Sequence, residues 1–124
     1  MKTTNNNRML PLSASHNRLH SNDTQVQDDF DDLVRLAVRG DRRAVGAIAM
    51  ALGPMLLDEA RVVLGEYADE DSDVLQDFLL VLLEGRSRFQ PVHGSAVVWL
   101  CRTIRAVAQT RRMENDRRRR DGEE

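Results

Sequence analysis

The sequence is poor in several residue types, and each shortage excludes a class of protein. Cys101 is the single cysteine, so the chain can form neither an internal disulfide nor a cysteine-based zinc site. Only 4% of the residues are aromatic, and short runs that alternate apolar with polar residues are missing, which disfavours a β-sheet. No apolar run has the length of a membrane-spanning helix or of a signal peptide. We therefore expect an all-α cytoplasmic protein that does not enter a membrane.

The charges are distributed unevenly along the chain, although the net charge is only -2. Residues 28–84 contain fourteen acidic and five basic residues, whereas residues 85–120 contain ten arginines and two acids. Arginine suits forked contacts with phosphates and base edges. The separation indicates either two different partners or simply a dipolar surface, and charge alone does not choose between them.

Apolar residues recur at helical spacing and predict a compact bundle of about four helices without strands. Gly-Pro at residues 53–54 predicts a kink in the second helix, because proline lacks the amide proton that a helix interior uses. Residues 1–27 and 114–124 show no apolar period, so we expect disordered tails around a domain at residues 28–113. The helices are expected from Asp28 to Gly40, Asp41 to Gly65, Glu70 to Glu84 and Ser95 to Met113. The predicted common core consists of Leu33, Ile48, Leu52, Leu75, Phe78, Leu79, Leu100 and Ile104.

The third predicted helix carries a polar stripe. Asp73, Asp77, Leu80 and Glu84 recur along one face, and Gln76 lies beside them. An apolar residue such as Leu80 within a polar stripe indicates a docking surface. Periodicity alone equally allows a helix that is buried on nearly all sides.

The fourth predicted helix separates its faces more clearly. Trp99, Arg102, Arg105 and Arg112 lie opposite its apolar stripe. An aromatic ring among arginines suits phosphates and unstacked bases, although a solvated basic face with a partly buried tryptophan is the alternative. The chain has no phosphate loop, nucleophile elbow, metal-ligand cluster or catalytic carboxylate pair. We therefore expect no enzymatic activity, no metal and no cofactor.

The order of these motifs resembles region 2 of the sigma-70 family, especially its small extracytoplasmic-function members. The resemblance covers about residues 30–112. It implies a bacterial sigma-factor domain that docks on RNA polymerase and opens promoter DNA for transcription initiation. The matching segments are, in order, Leu33–Ala44, Gly53–Pro54, Ala60–Gly65, Asp-x-x-Gln-Asp at 73–77, Arg-Phe-x-Pro at 88–91 and Trp-Leu at 99–100.

The resemblance also assigns roles to individual residues. Asp73, Gln76 and Asp77 match the positions that grip the clamp helices of the polymerase β′ subunit, and Leu80 extends that stripe. The loop at residues 88–95 matches the element that captures a flipped base of the minus-ten element. The following helix matches the one that stabilises the melted, single strand. The implied DNA contacts are Arg88, His93, Ser95, Trp99, Arg102, Arg105 and Arg112.

The sequence departs from the family pattern mainly where DNA would be contacted. Gln90 stands where an aspartate is usual, Ala96 where an aromatic residue is common, and residues 103–106 replace a usual Ile-Ala-Arg-Asn. Nothing after Met113 could form region 4, which reads the minus-thirty-five element.

Three functions are therefore open. We prefer a region-2-only sigma factor, or a sigma-factor subunit that pairs with a separate region-4 protein; an anti-sigma factor would be a further partner. The alternative is a regulator or decoy that occupies the clamp helices without reading DNA. A helical protein of unrelated function is the third, because fold-level likeness does not determine function.

Overall fold

A computed structural model describes residues 29–89 and 95–123, and in these ranges the chain is largely helical and contains no strand. Three complete α-helices are present: α1 (Arg42–Leu64), α2 (Asp71–Leu83) and α3 (Ala96–Glu123). Residues 29–38 are helical too, but the start of this N-terminal segment lies outside the described residues. The all-α prediction is confirmed, with three complete helices in place of the four predicted.

The chain divides into two units, Met1–Phe30 and Asp31–Glu124. The tail predicted at residues 1–27 lies outside the described residues. No helix in the described part of the chain is both long enough and apolar enough to cross a bilayer.

Helix α1 begins and ends at the residues that its capping signals predict. Oδ1 of Asp41 accepts a 3.0 Å hydrogen bond from the backbone N–H of Ala44, which satisfies one of the unpaired amides of the first turn. At the other end Gly65 adopts φ 60° and donates its N–H to the carbonyl of Arg61. These local contacts explain why both ends could be predicted from the sequence.

Helix α1 runs through Gly53 and Pro54 without ending, so the proline predicted to kink the helix does not divide it. Proline leaves the carbonyl of Met50 without its usual helical donor. Met50 is 86% exposed, so water can satisfy that carbonyl. The break predicted at residues 66–69 is likewise filled, by a 3₁₀ helix (Gly65–Glu70) that leads directly into α2.

Two glycines hold the end of the N-terminal segment against the end of α2. Gly40 has φ 89° and Gly85 has φ 73°. A Cβ atom on Gly40 would lie 2.8 Å from the carbonyl oxygen of Leu83, and one on Gly85 would lie 2.9 Å from that of Arg39. Only glycine combines the left-handed φ with the absence of a Cβ, so this close backbone contact depends on both residues.

The core lies where α1, α2 and α3 pack on one another. The predictions for Ile48, Phe78, Leu100 and Ile104 are confirmed, since all four are fully buried. The predictions for four leucines are wrong, because these side chains are only half-buried: Leu33, Leu52, Leu75 and Leu79. On α2 the buried line is instead Val74, Phe78 and Leu82. Apolar residues surround most of this helix, so periodicity alone did not identify the side that faces its neighbours.

Helix α3 continues ten residues beyond Met113, so the disordered tail predicted at residues 114–124 is wrong for residues 114–123. The added turns are attached by polar contacts. The Tyr67 hydroxyl donates a 2.7 Å hydrogen bond to Oδ1 of Asp116, and the Asn115 amide donates to Glu70 at 3.1 Å. Because no apolar period marks this segment, hydropathy did not indicate that it belongs to the bundle.

Candidate functional site

The polar stripe predicted on α2 lies on the surface. Asp73, Gln76, Asp77 and Leu80 are all exposed, and Leu80 retains 53% of its accessible surface. The buried line of α2 occupies the opposite side of the helix, so these four side chains share an outward face. The alternative of a helix buried on nearly all sides is therefore excluded.

Arg111 of α3 reaches the same acidic face. Its Nε donates to Oε1 of Glu70 at 2.7 Å, and its Nη1 donates to Oδ2 of Asp77 at 3.1 Å. Its Nη2 lies 3.5 Å from Oδ2 of Asp73. The pKa of Arg111 is raised, chiefly by the hydrogen bond to Glu70. Both aspartates of the stripe thus already have a cationic partner within the chain.

Glu70 is the most strongly held acid of this group. It accepts hydrogen bonds from Arg111 and from the side-chain amide of Asn115. These two bonds, that of Arg111 first, hold the pKa of Glu70 below its ordinary value. Glu70 was missing from the predicted site, since an acid one turn before the stripe carries no distinguishing sequence signal.

Gln76 differs from the two aspartates. No hydrogen bond to its side chain is formed among the described residues, and it is exposed. It is therefore the one member of the Asp-x-x-Gln-Asp motif whose polar atoms are not used within the bundle.

The charge separation of the sequence acquires a third explanation here. Arginines of the basic half form ion pairs with acids of the acidic half: Arg105 with Glu59 at 2.6 Å, Arg111 with Glu70, and Arg119 with Glu66. The two halves therefore pair with each other across the helix interfaces. The charge pattern of the sequence predicts separate partners or a dipolar surface, but it does not predict this internal pairing.

The outer face of α3 presents an aromatic residue beside an arginine. Trp99 is half-buried, and its ring centroid lies 5.7 Å from that of Phe89 at an interplanar angle of 58°. Trp99, Arg102, Thr103 and Ala106 line a shallow depression of about 370 Å³. Because part of the indole is exposed, Trp99 can still contact a ligand outside the bundle.

The other arginines predicted to contact DNA differ in whether they already form ion pairs or hydrogen bonds within the protein. Arg102 and Arg88 are exposed without an ion pair in the described part of the chain. Arg105 is 52% exposed and donates from Nε to Glu59. Arg112 donates from Nη1 to the carbonyl of Val63 at 3.0 Å, so it joins α1 to α3 rather than facing outward.

Of the two residues predicted to capture a base from this loop, the structure describes Ser95 but not His93. Ser95 accepts a 3.2 Å hydrogen bond from the backbone N–H of Val98, and this caps the start of α3. His93 lies outside the described residues. The loop at residues 88–95 is thus described only at its two ends.

The described residues contain no group of His, Cys, Asp and Glu side chains that could hold a metal ion. Cys101 is buried, and burial raises the pKa of its thiol. A neutral, enclosed thiol is a poor nucleophile and a poor metal ligand.

Comparison of the chain with protein-family models, curated protein sequences and solved structures finds no match. The resemblance to sigma region 2 consequently rests on the residues quoted above.

Proposed function

We propose that this chain is a sigma-factor domain of the region 2 type, which docks on RNA polymerase through α2 and offers α3 to the melted minus-ten strand. The observation that carries the proposal is the exposure of the α2 stripe, with Gln76 and Leu80 unused by the bundle. An exposed leucine among polar groups suits packing against a pair of partner helices with charged ends.

The two proposed surfaces are far enough apart to be occupied together. Trp99 and Arg111 both lie in α3 and are twelve residues apart, which corresponds to roughly 18 Å along the helix axis. Arg111 contacts the α2 stripe, whereas Trp99 lies towards the start of α3. Polymerase could therefore cover the stripe while a single strand contacts Trp99 and Arg102.

Docking would require the partner to replace one internal contact. A basic side chain of the clamp helices would compete with Arg111 for Asp73 and Asp77. Both carboxylates are at least half exposed, so solvent screening keeps these pairs weak. Arg111 would keep its shorter bond to Glu70, so the bundle would not have to open.

A polymerase-binding regulator that does not read DNA is the second candidate. It is favoured by the internal use of Arg112 and by the ion pair between Arg105 and Glu59. Of the arginines expected on the DNA face of α3, Arg102 alone is exposed without an ion pair in the described region.

A matched pair of substitutions tests docking. Gln76→Arg should abolish capture of core polymerase, and of an isolated β′ clamp-helix fragment, because it adds a repulsive charge to the stripe. Gln109→Arg makes the same chemical change on an exposed position of α3 and should leave capture unchanged. Equal capture by both variants and the parent chain would overturn the proposal.

Transcription with core polymerase on promoter libraries then separates the two candidates. A sigma domain should start transcription from minus-ten-type sequences, either alone or with a separately supplied region-4 protein. A regulator should bind polymerase and reduce initiation by another sigma factor.

A further inference from the structure

Four arginines surround a hollow between the N-terminal segment and the chain that follows α2. The hollow has a volume of about 540 Å³. Arg35 and Arg39 line one side, Arg86 and Arg88 line the other, and Ser87 and Phe89 complete the wall. Of these four arginines, Arg88 is the one predicted from the sequence to contact DNA.

The backbone contact between Gly40 and Gly85 holds the two sides of this hollow together. Arg39 directly precedes the first glycine and Arg86 directly follows the second. A Cβ on either glycine would collide with backbone atoms on the opposite side of the contact, so this close approach of the two sides requires glycine at both positions. The fold therefore brings together two pairs of arginines that lie far apart in the sequence.

Three of these four arginines lack the ion-pair partners that arginines have elsewhere in the described part of the protein. Arg35 forms an exposed ion pair with Asp32 at 2.7 Å. No ion pair is formed by Arg39, Arg86 or Arg88 with any other described residue, and all three are exposed. Like charges gathered around one hollow repel one another, and an anion placed between them removes that repulsion.

The ligand chemistry follows from the shape and the wall of the hollow. Guanidinium groups form forked hydrogen bonds with phosphate oxygens. Phe89 is 5% exposed and its ring packs against Trp99, so it offers no open face on which a base could stack. Recognition here would concern phosphates, not bases.

We propose that this hollow, the arginine cleft, binds backbone phosphates of single-stranded nucleic acid. The choice of a strand over a free polyphosphate rests on the proposed function. It is supported by the contact between Phe89 of the cleft wall and Trp99 of the α3 face, which makes the two surfaces contiguous. A strand whose base stacks on Trp99 would then place neighbouring phosphates in the cleft.

Fluorescence anisotropy of a labelled oligo(dT) with the 124-residue chain over a series of salt concentrations tests the cleft. The double substitution Arg39→Gln/Arg86→Gln should weaken binding at least tenfold. It should also lower the slope of log K against log salt by about 0.7 for each phosphate that the variant no longer neutralises. The charge-matched control Arg43→Gln/Arg117→Gln, at exposed positions outside the cleft, should change both quantities less. Equal effects of the two double variants, or none, would overturn the proposal.

Two further arms identify the ligand and separate this inference from polymerase docking. Tripolyphosphate should compete with oligo(dT) only weakly; competition at the same phosphate concentration would replace the strand by a small polyphosphate and overturn the proposal. Gln76→Arg should leave oligo(dT) binding intact, so failure of docking and failure of the cleft are read independently. An absence of binding in Trp99→Ala with full binding in the cleft variant would refute the cleft and keep the α3 face.

Discussion

The hydroxyl of Tyr67 donates a 2.7 Å hydrogen bond to Oδ1 of Asp116, 49 residues further along the chain. The contact joins the 3₁₀ helix at residues 65–70 to the last turns of α3. An ion pair between Glu66 and Arg119 lies beside it. The arginine run at residues 117–120 therefore belongs to an ordered, attached helix.

Tyr67→Phe should loosen the end of α3, because it removes the donor of this bond and the acceptor of a longer, 3.5 Å hydrogen bond from Arg119. Amide hydrogen exchange should become faster at residues 114–123 and remain unchanged in α2. The bond to Asp116 raises the pKa of Tyr67 above its ordinary value of 10.0, so the stabilisation is present below pH 10 and is lost as the pH rises through the higher folded pKa. Asp121→Asn, an exposed acid in the same turns, is the control. Unchanged protection in Tyr67→Phe would show that the contact does not hold the helix.

Glu70 should make the protein sensitive to acid. Hydrogen bonds from Arg111 and Asn115 lower its folded pKa, so its stabilisation is present above the ordinary pKa of 4.5 and is lost as the pH falls through the folded value. The thermal unfolding temperature should therefore decrease as the pH is lowered below 4.5, and this decrease should be smaller in Glu70→Gln. Glu84→Gln, an exposed site without an ion pair among the described residues, should leave the acid limb unchanged. An identical pH profile for all three proteins would contradict the prediction.

Arg111→Gln should strengthen docking on polymerase, because it frees Asp73 and Asp77 for a basic partner. Exposed ion pairs are worth about 0.2–1 kcal/mol, so the expected gain is up to about fivefold in affinity for the β′ clamp helices. Arg102→Gln removes the same charge from α3 at a site without an ion pair in the described residues and controls for net charge. Weaker binding in Arg111→Gln than in Arg102→Gln would mean that Arg111 supports docking rather than competing with it.

Substitutions at Phe78 should reduce the stability of the fold, whereas substitutions at Leu80 should reduce polymerase binding. Phe78 is fully buried, and Phe78→Ala should cost about 3–5 kcal/mol in the free energy of unfolding. Leu80→Ala, on the exposed face, should change it by less than about 0.5 kcal/mol. Leu80→Asp should keep the fold by circular dichroism and lose polymerase binding. Denaturant unfolding of the three variants tests which side of α2 faces the core. A large loss of stability in Leu80→Ala would show that Leu80 is buried and would overturn the assignment.

Trp99→Ala should impair promoter opening more than polymerase binding, since a stacked base contributes about 1–3 kcal/mol. Permanganate footprinting of the melted strand and polymerase capture measure the two effects separately. Val98→Ala, at the neighbouring exposed apolar position, is the control. If Trp99→Ala opens promoters normally, Arg102 would remain only as a contact to the DNA phosphates. That result would favour the polymerase-binding regulator that does not read DNA.

Features set within a few residues could be derived from the sequence alone. The all-α class, the cap at Asp41 and the helix ends at Gly40 and Gly65 all follow from helical periodicity, capping and the φ preference of glycine. Each depends on neighbours along the chain, so no knowledge of the remaining structure was needed.

Only the tertiary structure decided which side of α2 faces the core, how far α3 extends and which residues lie next to the arginines. Val74, Phe78 and Leu82 are buried because α1 and α3 lie on that side, and the last turns of α3 are ordered because Tyr67 and Glu70 reach them. Arg111 donates a hydrogen bond to Glu70, 41 residues away in the sequence. Arg39 and Arg86 line one hollow because the backbones at Gly40 and Gly85 approach closely. These contacts join residues that are distant in sequence, and no local periodicity encodes which distant partners will meet.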